Sequence, residues 1–266
     1  MLKGFLKAAR LEFNQMKESK ITLLLLFLVP VIVVSIFAIF GESNSYLAKI
    51  LTQQDMRSRD FFAPPLLAII VLFITTQLTI LRIVGERSPY GTLDRDLLAI
   101  SRGGMYLGKL LTNTMIGFLQ SFLMFLTILV FGIRIDGNSI SVLLTILATA
   151  FMGLNMGLLF SVFSKNKEQA IQLVPYSLVA LLVLSGIFIQ FTDIPETMRP
   201  IATISPLGLS YNALSKIMLS IDHTQVSSTT PKSYRIIDVM PEIGGILGWA
   251  FVFLAVGLVK FKLEGR

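Results

Sequence analysis

Long apolar runs alternate along the chain with short charged intervals, and the runs have the length of membrane helices. They predict spans at about 21–40, 61–84, 106–133, 139–164, 169–192 and 243–260. A helix crosses the hydrocarbon core with about 20 apolar residues, roughly 17 to 25 being tolerated. Pro30, Pro64, Pro65 and Pro175 lie in or at the ends of these runs, where neighbouring helices satisfy the carbonyls that proline frees. No internal repeat and no second domain is visible, so residues 1–266 read as one all-α integral membrane domain.

Two stretches outside the spans also carry helical periodicity. Over residues 1–20, Leu2, Phe5, Leu6, Ala9, Phe13 and Met16 repeat at helical spacing, while Lys3, Lys7, Arg10 and Lys17 take the other side. That pattern predicts a helix in the membrane interface with its basic face toward anionic headgroups, not a cleavable leader. Over 193–221, Pro195 and Pro206 stand where helices begin, the second after Ser205 as N-cap. Leu207, Tyr211, Leu214, Met218 and Ile221 then recur at helical spacing. Neither piece is long enough to cross, which predicts two short re-entrant helices. Residues 222–242 read as a solvated loop.

The charged interval between the second and third spans is 85–104. Pro89 ends the preceding run. Thr92 is placed to N-cap a short helix over 92–100, with Asp94 and Asp96 in the first turn where the helix dipole favours negative charge. Leu93, Leu97, Leu98 and Ile100 form its apolar stripe, and Ser101-Arg102-Gly103-Gly104 is expected to stop it.

Composition agrees with the pattern: 54% of the 266 residues are hydrophobic and 15% charged, with a mean hydropathy of +0.75. Soluble domains carry about 25% charged residues. Zero cysteines exclude disulfides and zinc–thiolate sites. The net charge of +7 would suit nucleic acid, but its distribution favours a membrane. Segments 1–20, 82–109, 165–168 and 260–266 hold 15 of the 23 Lys and Arg, which puts them and both termini in the cytoplasm by the positive-inside rule.

Reactive chemistry is sparse. Gly103 through Lys109 satisfies most of a phosphate-loop pattern, but Leu110 stands where a Ser or Thr would ligate magnesium, and no strand precedes it. It reads as coincidence. The single histidine, His223, falls in the outer loop and makes no metal cluster. The spans carry no His, Asp or Glu, which argues against an ion-driven carrier and an intramembrane hydrolase. Their polar content is neutral instead. Thr75, Thr76, Gln77 and Thr79 cluster in the second span, and Gln172, Tyr176 and Ser177 in the fifth; pathway lining and interhelical hydrogen bonding are both open to them. Gly153 and Gly157, and again Gly244 and Gly248, have the spacing that lets helices approach closely.

The order Glu86-Arg87, Gly91-Thr92-Leu93, Asp94-Arg95, Leu97-Leu98 resembles the cytoplasmic coupling segment of ABC type-2 exporter permeases of the multidrug-resistance kind, with Ser88-Pro89-Tyr90 as an unusual spacer. The layout from Leu184-Ser185-Gly186 to Ala213-Leu214 resembles that family's outer re-entrant segment. The resemblance implies an elbow helix over 1–20, six spans, a coupling helix and a path between the second and fifth spans of paired subunits. It implies two copies of a separate ATPase that binds the ATP and magnesium, docked on Glu86, Arg87, Gly91, Thr92, Leu93, Asp94, Arg95, Leu97 and Leu98. It further implies a second permease, a homodimer or heterodimer, in a prokaryotic plasma membrane. The cargo would be amphiphilic or hydrophobic: a drug, antibiotic, peptide or lipid-like molecule. Export of a polysaccharide or glycoconjugate by the same fold is the alternative.

Overall fold

A computed structural model describes residues 20–41, 57–85, 102–164, 166–187, 194–222 and 234–264. The expected elbow helix and the 86–100 segment lie outside the described residues. Eight α-helices are seen among the described residues: α1 (Lys20–Phe40), α2 (Ser58–Gly85), α3 (Arg102–Val130), α4 (Ser139–Phe163), α5 (Lys167–Leu184), α6 (Arg199–Ile204), α7 (Pro206–Leu219) and α8 (Met240–Glu264). A 3-10 turn, Ile236–Val239, leads into α8. Within these residues no strand forms.

Among the described residues, four segments are long and apolar enough to cross a membrane: Ser58–Val84, Leu110–Val130, Ser139–Phe163 and Ile236–Lys260. Two shorter apolar stretches, Phe27–Phe40 and Glu168–Leu184, accompany them. Helix α5 stops at Leu184, well before the expected 192. Ser185 turns its N–H back to Leu182 O, and Gly186 takes φ +71°, a conformation that glycine adopts without strain. Helix α3 starts at Arg102, four residues earlier than expected, so Gly103 and Gly104 open a helix.

The chain folds around α4. It begins after Asn138, whose side chain accepts from Ile140 N, and it is buried over most of its length. Helices α2, α3, α7 and α8 all pack on it. The main core joins Leu67 and Leu72 of α2, Met124 and Ile128 of α3, Ile146 and Met152 of α4, and Leu207 and Leu214 of α7. Outward faces stay apolar: Met115, Leu119 and Phe122 on α3, Val179 and Val183 on α5, and Phe251 and Val256 on α8 are exposed. In lipid such faces cost little, and helices associate by close packing and hydrogen bonds rather than by expelling water.

The pair of short helices is present at 199–219, with one shift. Pro195 opens a turn instead of a helix, accepting from Met198 N and Arg199 N, and α6 begins at Arg199. Ser205 then caps α7 as expected, its hydroxyl accepting from Gly208 N at 3.0 Å with Pro206 at the first helical position. The stripe expected on α7 understates its burial. Every residue of α7 except Leu209 is buried, because α2, α4, α5 and α8 enclose it.

Candidate functional site

The threonine band of α2 faces α4. Thr75, Thr76 and Thr79 are buried, and each hydroxyl donates to a carbonyl one turn back: Val71 O at 2.7 Å, Leu72 O at 2.7 Å and Thr75 O at 3.1 Å. That bonding hides the hydroxyls from the apolar interior. Thr76 Oγ1 also reaches Gly153 O of α4 at 3.1 Å. The contact needs Gly153 and Gly157. A Cβ on Gly153 would lie 2.1 Å from Thr75 Oγ1, and one on Gly157 2.4 Å from Thr76 O. This Gly-x-x-x-Gly therefore packs within the chain. Gln77 lies on another side of α2; it is half-buried, and its Oε1 is buried without a hydrogen-bond partner among the described residues.

Helix α5 lies beside α2, with Ala170 and Val174 packed on Ile80 and Val84. Gln172 and Tyr176 point away from that seam and are exposed, Tyr176 by 71%. Ser177 is half-buried and returns its hydroxyl to Val174 O at 2.8 Å. The structure thus brings the two groups onto neighbouring helices without gathering all seven on one surface. The threonines turn into the bundle and Gln172 and Tyr176 out of it.

Glu86, Arg87, Gly91, Thr92, Leu93, Asp94, Arg95, Leu97 and Leu98 lie outside the described residues. Their flanks do not. Residues 86–101 join the end of α2 to the start of α3; Arg82 Nη1, one turn from the end of α2, donates to Asn113 Oδ1, about three turns into α3, at 2.6 Å. At the same end of the bundle, Lys260 Nζ of α8 sits 3.6 Å from the Phe163 ring centroid of α4, a cation–π contact. Gly103 to Lys109 are the opening turns of α3, so this stretch is not a loop that could cradle phosphates.

At the opposite end lies a charged cluster that sequence reasoning missed. Lys216, in the last turn of α7, is 7% exposed. Its Nζ lies 2.5 Å from Glu242 Oε1, in the first turn of α8, and 3.0 Å from Asp222 Oδ2. The Tyr234 ring stands 5.9 Å away. Burial pulls the Lys216 pKa down, but the hydrogen bonds to Glu242 and Asp222 outweigh it, so the net shift is upward. Tyr234 is also pushed up, by burial first and then by Asp222. Glu242 Oε2 is buried without a hydrogen-bond partner among the described residues. The three charges sit in three separate segments, and Glu242 directly precedes the expected sixth span. A lysine as the single charge of a short helix was the available signal.

Long helices with outward faces that are mainly apolar and a glycine-keyed interior define an integral membrane protein of the helix-bundle class. Residues 43–259 match the model of the family described as ABC-2 family transporter protein, and the chain belongs to that family. ABC transporter G family member 20 of Dictyostelium discoideum is 29% identical over 166 residues, which make up 60% of this chain and 22% of that protein. ABC transporter G family member 23 of the same organism is 30% identical over 161 residues, 60% of this chain and 23% of that protein. The matched region thus spans under a quarter of the length of these relatives.

Proposed function

We propose that this chain is the transmembrane permease subunit of an ATP-driven exporter that moves an amphiphilic or hydrophobic compound out of the cell by alternating access. Family membership carries the reading. The six-span arrangement has both termini in the cytoplasm, as the distribution of basic residues favours. A second permease pairs with it, and two copies of an ABC ATPase, holding ATP and magnesium, bind beneath. The setting is a prokaryotic plasma membrane, on the resemblance of 86–98 to exporters with a separate ATPase; the Dictyostelium relatives lend that setting no support.

Between paired subunits, the cargo passes over the α2–α5 seam. Gln77, Gln172 and Tyr176 are neutral, the last two exposed and the first half-buried, which suits an uncharged or amphiphilic molecule. Closure of the ATPases pushes on 86–101 through Leu93, Leu97 and Leu98, and the Arg82–Asn113 tie passes the push to α2 and α3 together. Such switching requires two discrete packings of the helices and no reactive group.

The test is the Leu97→Ser, Leu98→Ser double variant, with permease level verified in membranes. Burying a leucine contributes about 1.5 to 3 kcal/mol, so ATPase retention and export should both fall sharply. Loss of Glu86 or Arg87 should uncouple hydrolysis from export more than it releases the ATPase. Full export with undiminished ATPase stoichiometry in the double variant would sink the proposal.

A further inference from the structure

Helix α7 is held on two sides in different ways. Toward the α3–α4 turn it is fixed by backbone hydrogen bonds, Asp136 N to Met218 O at 3.1 Å and Gly137 N to Ile217 O at 2.9 Å, and deeper by Thr149 Oγ1 to Ser210 Oγ at 3.0 Å. Toward α8, beside an apolar contact of Leu209 on Gly245, the attachment includes an ionic joint: Lys216 to Glu242, with Asp222 as the second carboxylate. We propose that this ionic joint is a latch, and that the first turns of α8 swing away from α7 about Gly248 while α7 stays with α4.

Three independent observations support a joint built to part. A buried ion pair stabilises no more than well-packed apolar side chains of the same size, so stability alone does not call for charges here. Parting it returns the charges to water, which makes an ionic seam easier to open than an apolar one of equal area. The charges are also unequal: one ammonium faces two carboxylates, and Glu242 Oε2 lacks a partner among the described residues. Tyr234 is neutral, and Asp238 accepts from Arg235 N in the turn before α8.

The second observation is the helix that would move. Within nine residues of its start α8 carries Pro241, Gly244, Gly245 and Gly248. Each interior glycine weakens a helix, and a Cβ on Gly244 or Gly248 would meet nothing within 4 Å. Third, there is room. A groove of about 400 Å³ runs beside this segment, lined by Ile204, Leu209, Gly245, Gly248, Trp249 and Val252. Trp249 Nε1 bridges it to Ile204 O at 2.8 Å.

The chain supplies its own reporter, since Trp249 is its single tryptophan. In the full chain in lipid nanodiscs, Glu242→Gln should raise acrylamide quenching of Trp249 about two-fold, by freeing a local opening that leaves the rest of the bundle folded. The exchanged pair Lys216→Glu, Glu242→Lys should bring quenching back toward the wild-type level. Unchanged quenching in Glu242→Gln overturns the latch. So does a rise accompanied by loss of the cooperative thermal transition, which would mark global loosening. A second arm rests on the exporter reading. The chain has no cysteine, and Leu209→Cys with Gly245→Cys places two thiols across the seam. Bridging them with a short bis-methanethiosulfonate, which joins the two thiols through disulfides and releases methanesulfinate at each, should stop export reversibly, with reductant restoring it. Export undiminished in the bridged protein overturns the latch while the exporter reading stands; absence of export by the wild-type complex overturns that reading, and the quenching result then decides the latch alone.

Discussion

Thr76 of α2 donates its hydroxyl to Gly153 O of α4 at 3.1 Å, across a seam where no side chain from α4 intervenes. The helices meet backbone to backbone there. Gly157→Ala would place a methyl 2.4 Å from Thr76 O and 2.9 Å from Thr79 Cβ. Overpacking of this kind costs about 1 to 3 kcal/mol. Thermal unfolding in detergent should show a clear loss for Gly153→Ala and Gly157→Ala, and little change for Gly248→Ala, where the space is open. Equal melting of all three would refute the close seam.

Ser205 should behave as a cap. Its removal as Ser205→Ala leaves Gly208 N without its acceptor, at a cost of about 1 kcal/mol; Ser205→Asp should retain most of the stability. The comparison of melting midpoints checks it, and an unchanged Ser205→Ala would count against the cap.

Alkaline pH should loosen the fold through the charged cluster. Lys216 and Tyr234 both have raised pKa values, from ordinary values of 10.5 and 10.0. Raised values mean that the folded state holds these protons more tightly, so the stabilisation is full below about pH 10, where the unfolded chain keeps them too. It disappears as pH climbs through the folded values. Melting midpoints followed upward from neutral pH should stay level and then fall, more steeply for wild type than for Lys216→Met. Parallel curves for the two would contradict the assignment.

Topology has a direct check. Single cysteines at Ser101 and Ser228 should react with impermeant thiol reagents from opposite faces of the membrane. Labelling of both from outside would dismiss the six-span arrangement.

The helices of this bundle were legible because their determinants are local. Apolar runs, Ser205 as a cap and Pro206 at a first turn each act within a few residues. Element ends proved harder where glycine was involved. Gly186 ends α5 early, while Gly103 and Gly104 open α3, and composition does not separate these uses. The burial of Thr75, Thr76 and Thr79 follows from which side of α2 meets α4, a tertiary fact that only the Gly153–Gly157 spacing hints at. The pairing of Lys216 and Asp222 with Glu242 was missed for the same reason, Glu242 being remote in the chain until α7 is enclosed.

The glycine seam between α2 and α4 has a mechanical meaning. Side chains bend and repack, so a joint made of leucines has play; a joint of main chain on main chain has almost none. A displacement of α2 is therefore handed to α4 undiminished, and from α4 to everything packed around it. The bundle has a stiff transmission through its middle, and what gives must lie at its margins.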